Sequence, residues 1–148
     1  MKVMFICTGN ICRSAMADGL MKELTKGKDV EVYSCGIYAQ TGDYATYNSI
    51  EAIKKYDVDL TSHRATNIKD SNIKEMDLIL CATQSHKDSV LHLYPNLRDR
   101  TYTMKEYAEI DENGKDMNIN DPWGYDMEIY RHCASEIYKC IERILQKI

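Results

Sequence analysis

The sequence predicts a single α/β domain over residues 1–148, built on a parallel sheet. Three observations carry that reading. Short apolar runs alternate along the chain with segments of helical periodicity, as in strand–helix–strand units. The first apolar run, Val3-Met4-Phe5-Ile6-Cys7, passes through the turn Thr8-Gly9-Asn10 directly into a helix-forming segment. The chain closes on a long stretch with one apolar stripe.

Taken in order, Lys2–Cys7 is continuously apolar after its first residue and reads as a strand buried on both faces. Residues 14–26 are rich in helix formers and read as the first helix. Residues 30–34 carry β-branched side chains at alternate places, a second strand, followed by a polar, tyrosine-bearing loop over 36–46. Ile50, Ala52 and Ile53 give 48–56 a helical spacing. Residues 73–76 read as the end of a short helical connection, 77–82 as a third strand, 87–93 as a helix and 100–103 as a short last strand. Residues 111–121 are polar, with Glu112-Asn113-Gly114-Lys115 as a turn, and read as an exposed loop. From 126 to 148, Ile129, Cys133, Ile137, Ile141, Ile144 and Ile148 mark a long amphipathic helix, with Asp126 at the N-cap.

Composition narrows the function classes. With 19 basic against 23 acidic residues and no long basic block, a nucleic-acid partner is disfavoured. No stretch approaches the roughly 20 apolar residues of a membrane span, and the chain shows no signal peptide. The six cysteines (Cys7, Cys12, Cys35, Cys81, Cys133 and Cys140) accompany central apolar strands, which points to a reduced cytoplasmic protein rather than a disulfide framework. No Cys-x2-Cys spacing occurs, and His63, His86, His92 and His132 are scattered, so neither a metal site nor a cofactor is expected.

The segment from Cys7 to Ser14 carries the chemistry. Cys7 ends a buried strand, Arg13 follows six positions later, and Ser14 opens the helix. A turn of residues that tolerate unusual backbone angles lets successive N–H groups face one hollow. A helix N-terminus adds partial positive charge at the same spot. Arg13 offers a planar, two-pronged donor suited to phosphate. A cysteine in such a field is held as thiolate and becomes a nucleophile. A lone strand-end cysteine is usually a small buried hydrophobe, but the full Cys-x5-Arg-Ser pattern between strand and helix is specific.

On that loop, Cys7-Thr8-Gly9-Asn10-Ile11-Cys12-Arg13-Ser14, and on the late Asp121-Pro122, the chain resembles the low-molecular-weight protein tyrosine phosphatase family over essentially its full length. The resemblance implies a four-stranded twisted parallel sheet with helices on both faces and the phosphate-binding loop after the first strand, where open α/β sheets hold their ligands. It implies that Cys7 is the nucleophile, Arg13 the phosphate clamp and Asp121 the general acid and base. Thr8, Gly9, Asn10, Ile11, Cys12 and Ser14 would complete the phosphate site, with Ser14 donating to the Cys7 sulfur. Ser34 and His63 stand where the family ties the loop asparagine in place, and Trp123 and Tyr38 are expected on the pocket wall. Oxidation that joins Cys7 and Cys12 reversibly is a further implication, set against a packing role for Cys12. Taken alone, aspartate before proline is a common turn starter; the resemblance gives Asp121 its chemical role. Ala15, Asp18 and Cys35 depart from the family's usual proline, glutamate and small residue.

The implied substrates are phosphorylated proteins, acted on by a monomer. Ile11 is the residue seen in tyrosine phosphatases, where protein arginine phosphatases carry threonine. Ser85-His86-Lys87, Lys105-Glu106-Tyr107 and the Asp121-Pro122-x-Gly run resemble the arginine phosphatases instead. Phosphotyrosine is therefore the favoured substrate and phosphoarginine the alternative. A thiol-dependent arsenate reductase would need two further redox cysteines near Cys81, and the next is Cys133. A non-catalytic phosphate-binding module would have lost Cys7 or Asp121.

Overall fold

A computed structural model describes residues 1–110 and 116–148. Its centre is a four-stranded, all-parallel sheet in the order β2-β1-β3-β4, from Lys2–Cys7 (β1), Glu31–Gly36 (β2), Leu78–Cys81 (β3) and Thr101–Thr103 (β4). Both inner strands are buried on both faces, which explains why β1 and β3 read as unbroken apolar runs. β2 runs two residues past its expected end because Gly36 pairs with Cys7 in register. The carboxyl ends of β1 and β3 thus lie side by side, and the loops leaving them share one rim of the sheet.

Helices cover both faces. On one, Phe5 and Leu80 pack with α1 (Arg13–Leu24), α2 (Tyr47–Ile53), α4 (Met104–Ala108) and α5 (Met127–Leu145). On the other, Met4, Ile6 and Ile79 meet Val90 of α3 (Gln84–Leu93), together with Ile68, Ile73 and Met76 from short 3-10 turns. Phe5 is fully buried, and trimming it to alanine would cost about 3–5 kcal/mol. The α5 stripe is Tyr130, Cys133, Ala134, Ile137, Cys140, Ile141 and Ile144; the two outermost expected members, Ile129 and Ile148, are 43% and 37% exposed. Asp126 caps this helix as the sequence suggests, accepting from the Ile129 N–H at 3.2 Å.

Several boundaries differ from expectation. The 48–56 segment divides into α2 and a 3-10 turn that stops where Asp57 turns left-handed (φ 64°). α3 begins at Gln84, because Thr83 accepts from the His86 N–H and caps it. α4 was not expected; a capping box between Thr103 and Glu106 nucleates it. The turn expected at 112–115 lies outside the described residues. The 111–121 stretch is not uniformly exposed: Ile119 is fully buried and anchors the segment that carries Asp121. Among the described residues no helix is long and apolar enough to cross a membrane.

Candidate active site

The loop from Cys7 to Arg13 leaves the carboxyl end of β1 and is moulded by the residues just after β2. Ile37 and Tyr38 donate their N–H groups to the carbonyls of Cys7 (3.0 Å) and Thr8 (2.9 Å). Gly36 is the necessary glycine here. A Cβ at that position would stand 2.5 Å from the Thr8 carbonyl oxygen and 2.9 Å from the Asn10 nitrogen. The residue that takes the left-handed backbone is Asn10 (φ 57°), not Gly9. Asparagine tolerates that conformation better than other side-chain-bearing residues.

Asn10 is completely buried and fully used. Its amide donates to Ser14 Oγ at 2.8 Å, and its side-chain oxygen accepts from the Thr66 N–H at 2.9 Å. Its backbone carbonyl accepts from His63 Nε2 at 2.7 Å, so that ring nitrogen carries the proton. Because Ser14 already receives the Asn10 amide, its own hydrogen is available to Cys7 Sγ, 2.9 Å away. The Asn10 N–H also points at that sulfur from 3.3 Å. Two donors thus converge on one buried sulfur.

Arg13 opens α1 with its side chain 5% exposed. Nη1 donates to the Ile119 carbonyl at 2.9 Å, and Nη2 lies 3.6 Å from Asp121 Oδ2. Its Nε is buried with no protein partner among the described residues, a donor left over for an anion. Asp121 is half out in solvent and accepts from the Trp123 N–H at 3.1 Å, which turns the chain after Pro122. Cys7, Thr8, Gly9, Ile11, Cys12, Arg13, Asp121 and Trp123 line one cleft of about 210 Å³. The cleft thus holds a thiol, a guanidinium and a carboxylate within one small volume.

Two expected residues lie elsewhere. Tyr38 is 81% exposed and lines a neighbouring groove with Ser85 and His92, because its backbone rather than its ring is what faces the loop. Ser34 does not reach Asn10; its hydroxyl donates to the buried Asp18 at 2.6 Å. Asn10 is already satisfied by Ser14 and Thr66, whereas a buried carboxylate requires compensation, and Lys22 forms an ion pair with its other oxygen at 2.9 Å. Cys12, within the loop, lies 3.4 Å from the Tyr130 hydroxyl and 3.5 Å from Thr46 Oγ1, and burial pushes its thiol up.

Three site residues were not expected. Ile119 offers a carbonyl to Arg13 and a side chain to the core. Thr66 uses only its backbone, which no sequence pattern reveals. His86, given no site role by the sequence, is buried with its Nε2 2.8 Å from Thr8 Oγ1.

A family described as low molecular weight phosphotyrosine protein phosphatase matches residues 2–148. A protein-arginine-phosphatase of Geobacillus stearothermophilus is 33% identical over 99% of this chain and 95% of its own. A low molecular weight protein-tyrosine-phosphatase of Staphylococcus epidermidis is 32% identical over 97% and 96%. The crystal structure of a low molecular weight protein tyrosine phosphatase from T. tengcongensis superposes with a TM-score of 0.92 at 35% identity, covering 100% of this chain and 99% of that one.

Proposed function

Since the chain belongs to the low molecular weight phosphotyrosine protein phosphatase family, hydrolases of phosphate monoesters, we propose that it removes phosphate from phosphotyrosine in proteins through a phosphocysteine intermediate. The observation that carries this reading is the donor pair on Cys7 Sγ, Ser14 Oγ at 2.9 Å and the Asn10 N–H at 3.3 Å, beside a buried arginine. Cys7 attacks phosphorus as the bond from phosphorus to the tyrosyl oxygen breaks, and protonated Asp121 delivers its proton to that oxygen. Arg13 and the loop N–H groups hold the three equatorial oxygens as charge develops on them. Asp121, now a carboxylate, takes a proton from water whose oxygen attacks phosphorus. The sulfur–phosphorus bond breaks, and the Ser14 hydroxyl stabilises the departing thiolate. The site acts as a monomer in the cytoplasm on phosphorylated proteins.

Ile11 and Trp123 supply the apolar part of the cleft, a surface suited to an aromatic ring. The second reading, phosphoarginine, is favoured by the arginine-phosphatase relative, and Ile11 argues against it because it lacks the hydroxyl that would help place water on a phosphoramidate. The arsenate-reductase reading is weakened by Cys81, which is fully buried within β3 and has no thiol partner close in sequence. The test is kcat/KM on matched phosphotyrosine and phosphoarginine peptides, for the natural chain and Ile11→Thr. Preference for phosphotyrosine that shifts about tenfold toward phosphoarginine in the variant supports the reading. Preference of the natural chain for phosphoarginine replaces it with the second.

A further inference from the structure

The His86 ring lies between two hydroxyls where the first turn of α3 meets the phosphate loop. Nδ1 is 2.9 Å from Thr83 Oγ1, and Nε2 is 2.8 Å from Thr8 Oγ1. The residue is 8% exposed, and burial pushes its pKa down to about 4, so the ring is neutral at neutral pH. A neutral imidazole has one donor and one acceptor nitrogen, and the hydroxyls on either side decide which is which.

Thr83 Oγ1 already accepts the His86 backbone N–H at 3.2 Å as the cap of α3. For its own hydrogen, the one protein acceptor in range among the described residues is Nδ1. If Thr83 donates there, the ring proton resides on Nε2 and passes to Thr8 Oγ1 as a donated hydrogen bond. Thr8 then keeps its hydroxyl hydrogen, and Thr8 lines the cleft beside Cys7. The reverse orientation would leave the Thr83 hydrogen without a protein acceptor and turn the Thr8 lone pairs toward an anion in the cleft. An anion therefore selects the first orientation, and each bond in such a chain polarises the next.

We infer that Thr83, His86 and Thr8 form a one-way donor chain that presents the Thr8 hydroxyl hydrogen to a phosphoryl oxygen, with His86 as its positioning residue. The chain reaches the loop from β3 and α3, independently of the Asn10, Ser14 and His63 contacts that shape the loop around the sulfur. It rests on the reading of the cleft as a phosphate site and adds a donor to that site.

Imidazole 15N spectra of the natural protein test it directly. The expected result is a neutral ring protonated at Nε2, with an Nε2 resonance that moves as inorganic phosphate is added. A proton on Nδ1, or no response at saturating phosphate, overturns the inference. Phosphate affinity supplies the second measurement. His86→Phe and Thr8→Val should each weaken inorganic phosphate binding about tenfold, and the double variant should be no weaker than either single one. His86→Gln, which restores a donor at the depth of Nε2, should regain part of the loss. Losses that multiply in the double variant overturn the chain, because they show two independent effects. Hydrolysis is read separately with p-nitrophenyl phosphate. A natural protein that binds phosphate and does not turn over would refute the phosphatase reading while the chain stands, and one that binds no phosphate refutes both.

Discussion

The phosphate loop and the segment that carries Asp121 face each other across one cleft and are held in opposite ways. Cys7, Asn10, Cys12, Arg13 and Ser14 are all nearly inaccessible, and each has a hydrogen-bonding partner within the protein. The Asp121 segment is anchored chiefly at Ile119, whose N–H donates to the Ala82 carbonyl at 2.8 Å and whose carbonyl accepts from Arg13. Beyond that anchor and the buried Pro122, the Asp121 side chain is 54% exposed and Trp123 64%. On the proposed mechanism the half that binds charge is thus organised before a ligand arrives, while the half that would move a proton meets it from a solvent-facing strap. That division suits the chemistry. Anion stabilisation gains most from fixed dipoles, whereas a group that must be acid and then base needs access to water.

Removing the proposed nucleophile should produce the largest effect. Cys7→Ser should lower kcat by roughly 10⁴-fold or more while inorganic phosphate still binds, since the dipoles remain. Loss of phosphate binding in that variant would show that the sulfur itself organises the loop. On the other side of the cleft, Asp121→Asn should lower kcat by about 10²–10³-fold on phosphotyrosine and by less on p-nitrophenyl phosphate, whose leaving group needs no proton. Phosphate binding should persist or tighten, because a negative charge 3.6 Å from Arg13 is gone. An equal loss on both substrates would break the assignment of Asp121 as acid.

Gly36→Ala tests whether the charge-binding half is as rigid as described. Its Cβ would force the Thr8 carbonyl or the Asn10 nitrogen to move, so kcat/KM and phosphate affinity should fall together, kcat/KM by about 10²-fold. An unchanged affinity would mean that the loop can give way.

The smallest effects concern pH. Burial pushes the His86 pKa down from the ordinary 6.5 to about 4 on folding, so the unfolded state binds more protons between those values. Stability should therefore fall as pH drops through that window, and His86→Phe should flatten the decline in a urea-midpoint series. The opposite limb belongs to the core. Burial pushes Cys35, Cys133 and Cys140 up to about 12, so unfolded thiols ionise first and stability should fall above the usual thiol value of 9. A flat alkaline limb would refute that burial.

Legibility followed sequence distance. The strand ending at Cys7, the loop and the start of α1 are contiguous, and a few local rules describe them: an apolar run, a turn, an oxyanion-ready helix start. The Asp126 cap was equally readable because its bond spans three residues. What was missed comes from far along the chain. Thr66, His86 and Ile119 reach the loop across separations of 56, 78 and 106 residues, and two of them use only backbone atoms there. Ser34 was misplaced because the sequence shows that a serine is near a loop, but not that a buried carboxylate competes for it. Tyr38 was misplaced because an aromatic residue beside the site can serve it through its backbone alone.

The bond from Arg13 to the Ile119 carbonyl has a consequence for synthesis. The Cys7 loop leaves the ribosome before the peptide that steadies its arginine, which is made 106 residues later, with Asp121 close behind it. α5, the last helix, then packs against α1. A chain that has not reached Ile119 accordingly carries the Cys7 thiol without the contact that steadies Arg13, and on the proposed mechanism turnover waits for Ile119 and Asp121 to take their places. Recovery of turnover after dilution from denaturant would on this account time the last step of assembly rather than the first.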